Sequence, residues 1–135
     1  FPTNSRINSS RGNDRFDEFD DDTETEKWWR ESDQTHKPTA DIDEYSETDG
    51  ERFEPREAHK GDAARAMFYL YAIHGHQDLT TIWFEPQIDV LVKWHADDPA
   101  DDAERSRNAK VAAIQGNLNP FIEDHTLVER ILRQD

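Results

Sequence analysis

Apolar residues recur at helical spacing along the second part of the chain. In residues 60–74 (KGDAARAMFYLYAIH) they occupy positions i, i+3, i+4, i+7 and i+8, and this spacing predicts a helix with a buried face. Further apolar residues widen that face, so we expect this helix to be central. Similar spacing predicts three more helices, which run from near Pro86 to just before Pro99, over about 100–115 and over about 124–133.

Residues 17–52 show no comparable pattern. They begin with the acidic run DEFDDD and contain few large apolar side chains, among them Trp28 and Trp29. A stretch of this composition cannot build its own core, so we expect a long, acidic and irregular surface excursion held by the two tryptophans. Strand signals are sparse, and residues 79–84 are the best short candidate. The chain is therefore predicted to be mainly α, with a helical body over residues 53–135.

The chain length suits a single domain, and its charge is strongly negative. The net charge of the 135 residues is −15; residues 1–53 carry 16 acids against 7 bases, and residues 54–135 carry 15 against 9. On charge alone a nucleic-acid partner is disfavoured, because an acidic surface repels phosphates. The acidity is equally compatible with adaptation to a salty medium.

The sequence lacks cysteines and long apolar runs, and each absence excludes a kind of site or partner. There are no cysteines, which excludes disulfides, thiolate catalysis and cysteine-based zinc sites. No apolar run approaches the roughly 20 residues that a membrane span needs, so no membrane partner is expected.

The first 16 residues form a basic island in this acidic chain. Three arginines face a single aspartate, Asp14, which gives residues 2–16 a local charge of +2. The arginines are Arg6, Arg11 and Arg15. Asn8 lies among them, and its amide oxygen is a neutral ligand suited to a hard cation such as Mg²⁺. Guanidinium groups bind phosphate oxygens bidentately. The island is therefore a candidate site for a metal ion together with a phosphate.

Lys60 and Arg65 stand at the start of the predicted central helix. Backbone N–H groups and the helix dipole favour an anion at such a position, so the two bases could hold a phosphate. The alternative is structural: Arg65 pairs with Asp62 at the i, i+3 spacing and Lys60 is solvated. The sequence leaves both interpretations open.

The six histidines do not form a recognisable catalytic pattern. His74 and His76 flank a glycine without a third ligand nearby, which favours surface residues over a metal site. His95 lies on the apolar stripe of its predicted helix, where a hydrogen-bonded core histidine is the expected form. The sequence contains no Ser/His/Asp order, no glycine-rich phosphate loop and no HExxH helix.

Four segments, taken in order, resemble the bacterial endonuclease I family of non-specific nucleases, whose active site is a ββα-metal (His-Me) finger. They are PTNSRINSSRGN at 2–13, FEPREAHKGDAARAMFYLY at 53–71, LVKWHADDP at 91–99 and QGNLNPFI at 115–122. The resemblance implies that residues 1–16 form the helix half of the finger. It leaves out the acidic stretch 17–52, where the family varies.

The resemblance also implies a site and a mechanism. Asn8 corresponds to the metal-binding asparagine, which together with a glutamate holds Mg²⁺, while a histidine deprotonates water. DNA or RNA would be cut to products with 5′-phosphates. Substrate contacts are expected from Arg11, Lys60 and Arg65, and structural support from Asn13, Asn117 and Asn119.

The sequence departs from the family at one point. In the family the Glu-His pair precedes the metal-binding asparagine, whereas the seven residues before Asn8 include neither His nor Glu. We therefore expect the general base to lie upstream of Phe1, in a secreted or periplasmic nuclease of which these residues are the C-terminal part. The missing half could instead come from a second chain, or the protein could be a catalytically inactive, acidic helical interaction module.

Overall fold

The computed structural model describes residues 4–20, 27–74 and 83–132. The chain divides into two compact units, Phe1–Lys60 and Gly61–Asp135. None of the helices in those described residues is long and apolar enough to cross a membrane.

The first unit combines a short helix with a mixed five-stranded sheet. Helix α1 (Ser5–Arg11) is followed by strands β1 to β5. The strands are β1 Arg15–Phe16, β2 Lys27–Arg30, β3 Asp33–Thr35, β4 Ser46–Thr48 and β5 Arg52–Glu54. Their order in the sheet is β1-β5-β4-β2-β3. Strand β1 runs parallel to β5, and the other neighbours are antiparallel.

The sheet corrects our expectation for residues 17–52. Three of its strands lie in that stretch, so the predicted irregular conformation is wrong for them. Strand β2 explains the difference: Trp28 is fully buried, while Trp29, which points to the other face, is half-buried. Because each strand has only two to four residues, the alternation of period two is too short to detect in the sequence.

The second unit is helical, as predicted. Helix α2 (Lys60–His74) leads into it, and a 3₁₀ turn at Glu85–Gln87 precedes helix α3 (Ile88–Asp97). The remaining helices are α4 Asp102–Gln115, α5 Pro120–Glu123 and α6 Leu127–Leu132. The fourth predicted helix corresponds to α6, which begins three residues later than expected, and the short helix α5 was not predicted. Of the strand candidate 79–84, residues 83 and 84 are helical and the others lie outside the described residues.

Aromatic packing forms the core of the second unit. Phe68 of α2 lies edge-on to Phe84, with ring centroids 5.9 Å apart, and 5.8 Å from the ring of Phe121. Tyr71 stacks on Phe84 at 4.3 Å. Trp94 of α3 is also buried. The central role predicted for α2 follows from these contacts.

Candidate functional site

Helix α1 presents Asn8 to solvent. The helix begins at Asn4, whose side-chain oxygen accepts a hydrogen bond from the Arg6 backbone N–H at 2.9 Å, and such a cap satisfies a donor that the first turn leaves unpaired. It ends at Gly12, whose φ of 54° favours glycine. Backbone hydrogen bonds from Asn8 to Asn4 and from Gly12 to Asn8 hold this residue in the helix, and its side chain is exposed.

Arg11, one turn after Asn8, stacks on an aromatic ring. Its guanidinium carbon lies 4.4 Å from the ring centroid of Phe16, which itself packs edge-on against Phe53 at 6.3 Å. Burial lowers the pKa of Arg11, and the nearby Asp14 carboxylate opposes this effect without cancelling it. The Nε atom is buried and has no hydrogen-bond partner among the described residues. An anion would have to bind through the terminal nitrogens of the guanidinium, because Nε is closed to solvent.

The other residues of the basic island are less constrained. Arg6 donates a hydrogen bond of 3.4 Å to the carbonyl of Ser32 in the turn between β2 and β3, and this bond fastens α1 to the sheet. Arg15 is exposed on the short strand β1, and Asn13 is exposed in the turn before it. Asn8 and Arg11 are therefore the pair in this unit that best matches the predicted metal and phosphate chemistry.

Lys60 is enclosed by carboxylates instead of facing a substrate. Its side chain is buried, and Nζ lies 2.6 Å from Glu54, 2.5 Å from Glu57 and 3.2 Å from Glu18. Burial alone would lower the pKa of Lys60, but the hydrogen bonds to Glu54 and Glu57 outweigh it, and the pKa is raised. A phosphate would have to displace these carboxylates, so the structure gives no support to the predicted substrate contact of Lys60.

Arg65 is likewise part of a buried ion-pair network. Its side chain is 1% exposed, and its guanidinium contacts both carboxylate oxygens of Glu104, at 2.9 and 2.7 Å. It also donates to the carbonyl of Asp98 at 2.6 Å and to Asp62 at 3.3 Å. The structural alternative from the sequence, a pair with Asp62, is present, and the predicted substrate contact finds no support here either.

Gly61 allows the chain to approach this network closely. A Cβ atom at Gly61 would lie 1.9 Å from the carbonyl oxygen of Asp98, the oxygen that Arg65 binds. The Gly61 N–H also donates to the Asp98 side chain at 2.9 Å. Position 61 therefore requires glycine for steric reasons.

The asparagines of the segment QGNLNPFI support the helices around them. Asn119 caps α5 by accepting from the Phe121 N–H at 3.0 Å, and it donates to the Arg65 carbonyl at 3.0 Å. Asn117 donates to the Tyr69 hydroxyl. Asn108, which the sequence did not single out, exchanges two hydrogen bonds with the Asn119 backbone, at 2.9 and 3.1 Å. The sequence feature that could have identified Asn108 is its place as an asparagine inside a long, alanine-rich predicted helix.

His95 is the buried, hydrogen-bonded histidine that its apolar stripe predicts. Its Nε2 lies 2.9 Å from the carbonyl oxygen of His125, which makes Nε2 the protonated nitrogen, and its ring stands edge-on to Phe68. Burial lowers the pKa of His95 from the ordinary 6.5, and Arg65 adds to this effect. Burial thus favours the neutral form of His95 in the folded protein.

This lowered pKa predicts a loss of stability in mild acid. The unfolded chain takes up a proton near pH 6.5 while the folded protein does not, so the contribution of His95 is fully present above pH 6.5 and is lost as the pH falls through its lowered pKa. Urea unfolding at pH 8 and pH 5.5 measures the difference. His95→Gln keeps a donor for the His125 carbonyl and should reduce the pH dependence, whereas His74→Gln, at an exposed position, should not. Equal pH dependence in His95→Gln and the unchanged protein would contradict this.

The described residues contain no cluster of three or more His, Asp or Glu side chains that could hold a metal ion. Mg²⁺, however, keeps several water ligands and often uses only one or two protein ligands together with substrate phosphates. The exposed amide oxygen of Asn8 fits the role of one such ligand, and it does not by itself form a complete metal site.

Comparison with known proteins gives the family. Residues 1–126 match the family model described as endonuclease I, so the chain belongs to the endonuclease I family. The family resemblance that we found in four sequence segments is thereby confirmed. No solved structure matches the chain.

Two curated relatives of this chain are both named extracellular ribonuclease. The chain is 31% identical to the extracellular ribonuclease of Bacillus amyloliquefaciens and 33% identical to the extracellular ribonuclease of Bacillus subtilis (strain 168). Each alignment covers 90% of this chain and 41% of the relative. The chain thus spans about two fifths of the length of the relatives that it matches.

Proposed function

We propose that this chain provides the metal- and phosphate-binding helix of a Mg²⁺-dependent endonuclease that hydrolyses DNA or RNA without sequence specificity and leaves 5′-phosphates. The observation that carries the proposal is the arrangement on α1, where the exposed Asn8 and the half-buried Arg11 lie one helical turn apart in a member of the endonuclease I family. The relatives' names support RNA as a substrate and secretion as the destination.

In this proposal two side chains of α1 have different roles: Asn8 binds the metal ion and Arg11 binds the phosphate. The Asn8 oxygen would hold Mg²⁺, and the bound ion would neutralise charge that develops on the phosphate and the leaving 3′-oxygen. Arg11 binds a phosphate oxygen and is kept in place by the Phe16 ring. Residues at i and i+3 lie on neighbouring positions of a helix surface, so both groups can contact one phosphodiester.

Lys60 and Arg65 take no part in substrate binding in this proposal. Their charges are matched by Glu54 and Glu104 inside the protein, and breaking either pair would leave a buried carboxylate without compensation. Arg11 therefore remains as the substrate-binding base of the three that the sequence suggested.

The general base is assigned to residues outside these 135. The family resemblance implies a Glu-His pair before Asn8, and residues 1–7 contain neither type. The extra length of the curated relatives is consistent with this assignment. A second candidate function, an inactive acidic interaction module, is favoured by the net charge of −15.

Cleavage assays separate the two functions. The product of the complete reading frame and the 135-residue chain are each incubated with plasmid DNA and with RNA, in Mg²⁺ and in EDTA. We expect cleavage by the complete product in Mg²⁺ alone, with 5′-phosphate ends that accept label only after phosphatase treatment. Intact nucleic acid in every sample would favour the interaction module.

A second prediction concerns Arg11, whose guanidinium stacks on the ring of Phe16. Arg11→Ala should raise KM by about tenfold or more with a smaller effect on kcat, and should reduce the salt dependence of binding, because it removes one phosphate contact. Phe16→Leu should produce a weaker form of the same change.

A matched control exists in the same unit. Arg52 lies 4.6 Å from the Phe19 ring, but its guanidinium is paired with Asp17 at 3.1 Å and with Asp49 at 2.8 Å. Arg52→Ala should leave KM unchanged under conditions where the protein stays folded. Equal KM values for Arg11→Ala and Arg52→Ala would show that Arg11 does not bind the substrate.

A further inference from the structure

One face of the five-stranded sheet carries no acidic side chain from the described strands. The registers of the strand pairs fix which residues share a face, because successive side chains of a strand point to opposite sides. The acidic residues within these strands, Asp33, Glu47 and Glu54, all lie on the opposite face. We call the acid-free side the Phe16 face, and its strand residues are Phe16, Lys27, Trp29, Gln34, Ser46, Thr48 and Phe53.

Helix α1 lies on the Phe16 face. The guanidinium carbon of Arg11 is 4.4 Å from the ring centroid of Phe16, and the helix also packs against β4, a central strand of the sheet. At the other end of the helix, Arg6 donates to the carbonyl of Ser32 in the turn between β2 and β3. The side of the sheet that lacks carboxylates is therefore the side that carries the proposed metal and phosphate ligands.

Lys27 is the charged residue that the described strands place on the Phe16 face. Its side chain is half-buried, and it has no ion-pair partner among the described residues. Its cross-strand neighbour is Thr48, and the carboxylate of Asp49, the next residue in the chain, is paired with Arg52 at 2.8 Å. The ammonium group of Lys27 is thus available to an anion.

Lys27 and Phe16 lie at opposite ends of one row of paired residues. The row runs from Lys27 through Thr48 and Phe53 to Phe16, and it crosses β2, β4, β5 and β1. Neighbouring strands lie about 4.8 Å apart, so the three spacings separate the Cα atoms of Lys27 and Phe16 by about 14 Å. Since Arg11 stacks on Phe16, Lys27 and Arg11 are placed to bind different phosphates of one strand.

We propose that Lys27 binds a second backbone phosphate of the nucleic-acid strand that is cleaved at α1, so that the strand crosses the sheet along the Phe16 face. This proposal rests on the proposed function of α1. A lysine bound to a phosphate positions a strand without reading its bases, which suits an enzyme without sequence specificity. The substrate class is therefore an oligonucleotide that extends beyond the phosphate at the cleavage site.

The opposite face of the sheet is less suited to a phosphate backbone. It presents the three carboxylates of the strands, and like charges repel. Two of its arginines are also engaged, because Arg30 pairs with Asp41 at 3.5 Å and Arg52 pairs with Asp17 at 3.1 Å. The distribution of charge between the two faces thus favours a substrate path on the side of α1.

Fluorescence anisotropy in EDTA, with a labelled single-stranded RNA of 12 nucleotides, measures binding without cleavage by the product of the complete reading frame. Lys27→Met should weaken binding by about three- to tenfold and should reduce the slope of log K against log [NaCl] by about 0.7, because one phosphate contact is lost. Lys27→Arg keeps the charge and should bind as the unchanged protein does. Lys110→Met, at an exposed position on α4, is the matched control and should change neither quantity.

Substrate length provides the second measurement. A dinucleoside monophosphate has a single phosphate, so it cannot reach both ends of the row. In Mg²⁺, Lys27→Met should raise KM for the 12-nucleotide RNA and leave KM for the dinucleotide unchanged, whereas Arg11→Ala should raise both. An effect of Lys27→Met through folding alone would alter both substrates equally, and urea unfolding of each variant measures that effect separately.

The outcomes distinguish this path from the nuclease assignment itself. Equal binding by Lys27→Met and Lys110→Met, in a protein that cleaves RNA, would overturn the path and leave the assignment of α1 intact. An equal rise in KM for both RNA lengths would also overturn it, because Lys27 would then act at the cleavage site or through the fold. Weakened binding by Lys27→Met without any cleavage in Mg²⁺ would support the phosphate contact and contradict the nuclease. Absence of RNA binding by the unchanged protein would overturn both.

Discussion

Arg65→Met should lower the free energy of unfolding by about 3–5 kcal/mol, because it leaves a buried carboxylate without its partner. Glu104 is 3% exposed, and Arg65 contacts both of its oxygens. Burial raises the pKa of Glu104, and its contacts with Arg65 oppose that effect. Urea unfolding at pH 7 measures the loss. The methionine keeps much of the side-chain volume, so the change reports mainly on the charge.

Two comparisons identify the cause of that loss. Lys93→Met removes an ion pair with Asp97 that is exposed on both sides, at 3.2 Å, and should cost less than about 1 kcal/mol. The double variant Arg65→Met with Glu104→Met should be more stable than the sum of its single changes predicts, because both charges are then absent. Equal losses for Arg65→Met and Lys93→Met would show that the buried network contributes little.

Local signals in the sequence were sufficient for the longer helices of the second unit. Spacing of apolar residues predicted α2 with the bounds Lys60–His74. The end of α4 was equally visible, since Gly116 adopts the left-handed φ of 84° expected of a glycine that follows a helix. Its start is marked by Asp101, whose side chain accepts from the Glu104 N–H at 2.7 Å. Each of these signals depends on residues within a few positions of one another.

The sheet and the ion pairs depend on residues far apart in the sequence. Strand β1 pairs Phe16 with Phe53 in parallel, and no local pattern in a strand of two residues reveals such a partner. The position of Arg65 in the sequence suggested phosphate binding because Glu104, the carboxylate that pairs with it, lies 39 residues away. The position of Asn8 and Arg11 on one short helix was expected from the family resemblance and not from a local pattern of apolar residues.

Asn8→Ala should reduce cleavage by the product of the complete reading frame by about 10³-fold. A metal ion that polarises the phosphate contributes several kcal/mol to the transition state, and the variant removes the ligand that we assign to it. The Asn8 side chain is exposed, so the free energy of unfolding should change little. Asn8→Asp keeps an oxygen ligand and should retain more activity than Asn8→Ala.

Asn4→Ala is the structural control for α1. Asn4 caps the helix through its hydrogen bond to Arg6, and its loss should cost about 1 kcal/mol of stability. If α1 acted only as a structural element, Asn4→Ala would impair cleavage more than Asn8→Ala does. We expect the opposite order.

A Mg²⁺ titration of the cleavage rate, run in parallel on the unchanged protein, Asn8→Ala and Asn4→Ala, tests the assignment of the metal site to α1 most directly. The unchanged protein and Asn4→Ala should reach a plateau at similar Mg²⁺ concentrations. Asn8→Ala should remain close to the rate in EDTA throughout the titration. A normal plateau for Asn8→Ala at the same Mg²⁺ concentration would contradict the proposed role of Asn8.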